Sequence, residues 1–129
     1  MTSYPRASLR IELGRERRVG PGKIRLLELI RSTGSISAAA RQMEMSYRRA
    51  WLLIDEVNGA LKAQVVATAT GGSGGGGAIL TPLGEALIAA YREIEADATA
   101  MVAGRIEAIA GKKEKRGDPA GRVGKENQK

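Results

Sequence analysis

Ser46, Tyr47, Arg48 and Arg49 stand in one unbroken run, and their chemistry is that of recognition, not of bond making. A guanidinium carries a planar fork of donors that matches the two acceptors of a guanine edge or the oxygens of a phosphate. Ser35 and Ser37 lie upstream at a second serine-marked helix start, where free backbone N–H groups could bind a phosphate. Thr70 and Ser73 stand beside and within the glycine-rich run 71–77, G-G-S-G-G-G-G. Bare backbone there could approach a sugar-phosphate chain.

Catalytic chemistry finds little to work with. The chain has no Cys and no His, which removes thiolate nucleophiles, the commonest general base and the usual soft metal ligands. Asp55 and Glu56 have no partner acid at a useful spacing. The glycine run is not a nucleotide loop, because that motif requires G-K-[ST] and no Lys occurs between Lys62 and Lys112. The chain reads as a non-enzyme.

The elements that would position these residues are mostly helices. Pro21 suits a first helical position, Ile24, Leu27 and Ile30 recur on one face, and Gly34 is a stop signal. Ser35 caps a short alanine-rich helix, and Met43 and Met45 flank Glu44 in a tight turn. Ser46 caps the next helix, in which Ala50, Ile54, Val57 and Leu61 form the core-facing stripe. Tyr47, Arg48 and Arg49 occupy its first turn, the part that reaches base edges in a helix-turn-helix. Capping alone accounts equally well for the two upstream serines; surface charge alone is the alternative for the arginines, but their place in the first turn after a serine cap, in a basic half-chain, favours contact with bases or phosphates. Trp51 reads as packing under the following hairpin, since indole seldom reads base edges.

Val65–Thr70 and Ala78–Leu80 are β-prone, so they predict a hairpin that would serve as a wing. The alternating run Ser8–Leu13 is expected to be a strand and could add a third strand to that sheet; Arg15–Gly22 reads as loop. Thr81-Pro82 starts a long helix expected to reach Ala110. Leu87, Tyr91, Ile94, Ala98 and Met101 follow at heptad spacing, a seam assigned to dimerisation. A helix of about 30 residues is roughly 45 Å long, more than a small domain covers, although folding back on its own domain is the alternative. The expected organisation is residues 1–20 as strand and loop, 21–80 as the binding domain, 81–110 as the dimerisation helix and 111–129 as a disordered basic tail.

Charge agrees with a polyanionic partner. The 129 residues carry 21 Lys/Arg against 14 Asp/Glu, net +7, and the pI is about 10.1. The first 80 residues hold net +6, residues 81–110 net −3 and the remainder net +4, so different segments face different partners. No apolar run approaches the ~20 residues of a membrane span, and no apolar leader precedes the first strand. A cytoplasmic protein without a membrane partner is expected.

The run S-I-S-A-A-A-R-Q-M-E-M-S-Y-R-R-A-W, followed by T-G-G-S-G-G-G-G-A-I-L-T-P-L-G, resembles the DNA-binding domain of the molybdate-responsive ModE regulators. More distantly it resembles the LysR-type regulators. The resemblance covers roughly residues 20–95. It implies a mainly α winged helix-turn-helix that binds double-stranded DNA as a homodimer on a palindromic operator and regulates molybdenum-related genes. The matching recognition helix starts at Ser46, and the wing runs from Thr68 to Leu80. Thr68 and Ser73 stand where the family often has arginine and lysine, which implies a weaker phosphate grip by the wing. Full-length members carry a C-terminal molybdate- or tungstate-binding domain; here a polar tail follows the long helix, so no cofactor is expected. A non-specific architectural DNA-binding protein and a winged protein–protein module are the alternatives.

Overall fold

The computed structural model describes residues 4–69 and 77–115, with side chains up to Gly111. The chain forms two compact units, residues 9–93 and residues 1–8 together with 94–129. In the first, β1 (Ile11–Glu12) pairs antiparallel with β2 (Arg18–Val19), and three helices follow: α1 (Pro21–Thr33), α2 (Ile36–Gln42) and α3 (Tyr47–Leu61). A second antiparallel hairpin, β3 (Val66–Ala69) with β4 (Gly77–Leu80), leads into α4 (Pro82–Lys115), which is shared with the second unit.

The helix boundaries follow local chemistry. Gly34 takes a left-handed φ of 70° after α1, and its N–H donates to the Ile30 carbonyl at 2.8 Å, a closure that glycine makes without strain. Ser35 Oγ accepts from Ala38 N–H and Ser46 Oγ from Arg49 N–H, each at 3.0 Å, so each serine satisfies a donor that its helix leaves free. The turn between α2 and α3 closes when Met45 N–H donates to the Ala40 carbonyl at 3.0 Å, with Glu44 at φ 59°.

One core joins α1, α2, α3, the base of the β3–β4 hairpin and the start of α4. Leu27, Ile30, Ala39, Ala50, Ile54, Val57 and Val65 are all buried within it. The alanines of α2 let it lie close to its neighbours, and Met43 and Met45 fill the edge of the turn. A smaller cluster of Val19, Ile24 and Tyr91, with Ile11 and Leu87 against it, secures the first hairpin. Glu28 and Arg92 add a two-bond ion pair, both bonds 2.9 Å. Hydrogen bonding from Arg92 holds the Glu28 carboxyl below its usual pKa, against the opposing effect of burial, with the charges of Arg92, Arg25 and Arg31 adding to the lowering.

Several expectations need correction. The first strand does not join the wing sheet; it pairs with Arg18–Val19, which read as loop. The edge of the β3–β4 hairpin is met instead by the α1–α2 connection, where Ala78 N–H donates to the Gly34 carbonyl at 3.0 Å. Leu87 is half-buried and Tyr91 is 1% exposed, its hydroxyl donating to the Leu9 carbonyl at 2.6 Å. These two seam residues are consumed by the chain's own core. The long helix continues past Ala110 to Lys115, so residues 111–115 are not an unstructured tail; the rest of that tail lies outside the described residues. In the second unit, Ala7 N–H donates to Thr99 Oγ1 at 3.0 Å.

Gly84 explains how α4 docks. Thr81 N–H donates to the Val65 carbonyl at 3.0 Å, Thr81 Oγ1 donates to the Gln64 carbonyl at 2.8 Å, and Gly84 N–H donates back to Thr81 Oγ1 at 3.1 Å. A Cβ on residue 84 would sit 2.3 Å from the Val65 carbonyl oxygen, closer than atoms tolerate. Ordinarily Gly→Ala in a helix gains about 0.5–1 kcal/mol. Gly84→Ala is expected to lose about 1–3 kcal/mol, the range for overpacking, whereas Gly104→Ala, with no neighbour within 4 Å, should not destabilise. Thermal melts of the two variants check this, and equal behaviour would contradict it.

Candidate nucleic-acid interface

Three adjacent faces of α3 define the site. Tyr47 and Trp51, four residues apart, face the β3–β4 hairpin. Arg48, Leu52 and Asp55 face outward. Arg49, Leu53 and Glu56 face the first hairpin. These spacings of three and four residues are those of neighbouring ridges on one helix. The remaining face, with Ala50, Ile54 and Val57, is the buried one, and Leu53 at its edge is buried with it.

The cleft on the hairpin side has a volume of about 420 Å3 and is lined by Ser35, Ser37, Tyr47, Trp51, Thr68 and Ala78, among others. Tyr47 meets Trp51 edge-on, ring centroids 6.5 Å apart at 82°. Trp51 is half-buried against the core, as expected, while Tyr47 is 55% exposed. Trp51 is therefore the anchored ring and Tyr47 the one presented to solvent. Ser37 is exposed at the cleft rim, and Ser35 and Ser46 spend their oxygen lone pairs on helix caps. Thr68 pairs with Ala78 in the hairpin. Thr70 and Ser73 lie outside the described residues.

Arg48 and Arg49 are exposed, and neither forms an ion pair with a described residue. Unpaired guanidiniums keep all their donors for an external acceptor. Three other cations of the same unit are already committed. Lys23 lies 2.9 Å from Glu56, Arg31 2.8 Å from Glu85, and Arg92 holds Glu28. Charge is thus neutralised where helices meet and left free on the first turn of α3.

Residues that the pattern did not reveal hold the site in place. Asn58 accepts from Val65 N–H at 2.8 Å through Oδ1 and donates from Nδ2 to Gln64 Oε1 at 3.1 Å. It binds the end of α3 to the root of the β3–β4 hairpin, a role that no local sequence signal announces. Gly84 does carry a signal, since it closes the A-I-L-T-P-L-G run that supported the family resemblance.

Of the expected seam, Ile94, Ala98 and Met101 belong to the second unit. Ile94 is 45% and Met101 61% exposed, Ala98 is half-buried, and Ile106 and Ile109 are exposed as well. Among the described residues no helix is long and apolar enough to cross a membrane.

No family model matches the chain. It is 54% identical over 79 residues to the molybdenum-pterin-binding protein MopB of Rhodobacter capsulatus, covering 61% of this chain and 29% of that protein. To MopA of the same organism it is 39% identical over 89 residues, covering 69% and 34%. To the DNA-binding transcriptional dual regulator ModE of Escherichia coli (strain K12) it is 46% identical over 71 residues, covering 55% and 27%. The chain thus spans about a third of the length of these curated relatives, and over that stretch its sequence is similar to ModE and to the molybdenum-pterin-binding proteins. The expectation of no cofactor does not stand, because MopB and MopA are named for binding molybdenum-pterin. That expectation rested on missing His and Cys ligands and on a missing separate binding domain, neither of which decides the question.

Proposed function

We propose that this chain is the DNA-reading part of a molybdenum-related transcriptional regulator, built as a winged helix-turn-helix and acting as a homodimer on a palindromic operator. The observation that carries the reading is the first turn of α3, where exposed Tyr47, Arg48 and Arg49 project from a capped, core-anchored helix and neither arginine is paired with a described residue. Its similarity to ModE, named as a DNA-binding regulator, supports the same reading. α3 is the recognition helix, α2 braces it, and the β3–β4 hairpin is the wing.

The three faces divide the work. Arg48 on the outward face points into the major groove and pairs with a base; Asp55 on that face suits a cytosine amino group. Arg49, on the flank, meets phosphate. Arg48→Ala is expected to cost about 1–3 kcal/mol on a site selected from random duplexes and to relax preference at one base pair. Arg49→Ala should weaken selected and random duplexes alike. Fluorescence anisotropy on both duplexes separates the roles, and uniform weakening by Arg48→Ala would remove it from base reading.

Two-fold symmetry comes from α4. With Leu87 and Tyr91 taken by the core, the dimer contact falls on Ile94, Ala98 and Met101 and continues to Ile106 and Ile109. Exposed large apolar side chains on a long helix need cover, and a second copy of the same helix supplies it. Ile94→Glu with Met101→Glu should give a monomer in sedimentation equilibrium, and an unchanged dimer would refute the contact.

A second reading, direct handling of molybdenum by this chain, is favoured by the similarity to MopB and MopA. Equilibrium dialysis against molybdate distinguishes it from DNA binding alone.

A further inference from the structure

A helix in the major groove fills most of its ~12 Å width, so phosphate ridges pass along both flanks of the helix. The two flanks of α3 are unequal in charge. On the β3–β4 side, the sequence contains no Lys or Arg between Lys62 and Arg92, so the hairpin and its loop bring no side-chain cation there. On the other side lies a groove of about 370 Å3 lined by Arg10, Arg18, Lys23, Arg49 and Glu56 together with apolar residues.

That groove is cationic in effect as well as in composition. Its one carboxylate, Glu56, is neutralised by Lys23 at 2.9 Å, and Lys23 also donates to the Arg18 carbonyl at 2.8 Å, pinning β2 to the helices. Arg10, Arg18 and Arg49 form no ion pair with a described residue, although Glu12 stands opposite Arg18 in the strand register. The register turns Ile11 and Val19 toward the core. Alternation with Val19 turns Arg18 outward, and Arg10, just before β1, is exposed as well. The Arg10 stem lies beside Gly20, its Cγ 3.5 Å from where a Cβ would stand, an ordinary contact distance.

We propose that the β1–β2 hairpin is a second DNA-binding element, with Arg10 and Arg18 gripping the backbone phosphates of the duplex beside the α3 flank that carries Arg49. The inference rests on the DNA-binding reading of α3. It assigns to the N-terminal hairpin the phosphate grip that the cation-free β3–β4 hairpin does not supply. Exposed guanidiniums spread over the first hairpin and α3 suit a repeating polyanion better than a single enclosed ion.

The test is the salt dependence of binding by the full chain to a random-sequence duplex, for wild type, Arg10→Ala/Arg18→Ala and Arg10→Lys/Arg18→Lys. Circular dichroism confirms folding, and the lysine variant keeps the charge if the alanine variant misfolds. Each phosphate contact contributes about 0.9 to the slope of log affinity against log salt. The alanine variant is expected to flatten the slope by about 2, and the lysine variant to keep it. An unchanged slope in the folded alanine variant overturns this inference and leaves the α3 reading intact. In a lysine variant studied alone, a slope flattened as by charge removal would equally overturn it. Wild-type protein that binds no duplex overturns both. Phosphatidylserine vesicles are the comparison arm: binding to them that requires the two arginines, with duplex binding unaffected, would make the hairpin a membrane contact and overturn the proposal.

Discussion

The architecture depends on the backbone of one residue, Val65. The residue is fully buried, so its N–H and carbonyl must both find partners inside the protein. Asn58 at the end of α3 takes the N–H, and Thr81 at the start of α4 gives its own N–H to the carbonyl. Those two bonds fix the root of the β3–β4 hairpin between two helices. They also bring α4 so near that residue 84 has no room for a side chain. From that docking follows the burial of Leu87 and Tyr91, and with Tyr91 the anchoring of the first hairpin.

With both hairpins held from below, α3 is left with a buried face and three free ones. The outer face carries Arg48, one flank opens on the Tyr47–Trp51 cleft, and the other opens on the groove of Arg10, Arg18 and Arg49. Ion pairs lie where elements meet, at Lys23–Glu56, Arg31–Glu85 and Arg92–Glu28. Among the arginines that form no ion pair with a described residue, Arg10, Arg18, Arg48 and Arg49 line the clefts beside α3. A rigid helix with uncommitted donors is a surface prepared for a partner that brings acceptors of its own.

Much of this is legible in the sequence because the signals are local. Ser35, Ser46, Thr81 and Gly34 mark helix ends through bonds to residues within one turn, and Pro21 marks one through its fixed φ. What stays hidden depends on residues far apart in the chain. A two-residue strand such as Arg18–Val19 has no periodicity to detect, and nothing in Ala78 announces the Gly34 carbonyl that it meets. The heptad spacing of α4 does mark an apolar stripe, but spacing does not say whose core the stripe enters. Tyr91 goes to its own chain's core through a bond to Leu9. The three-way division of α3 is implicit in its sequence yet becomes visible only once both flanking hairpins are in place.

The central claim is that α3 reads DNA sequence. Selection of bound duplexes from a random pool tests it most directly, because no site has to be chosen in advance. The account predicts enrichment of one inverted repeat, its half-sites one helical turn or a multiple of about 10–10.5 base pairs apart. Recovery of duplexes with no shared sequence would contradict base reading by α3 and leave a binder of phosphate alone.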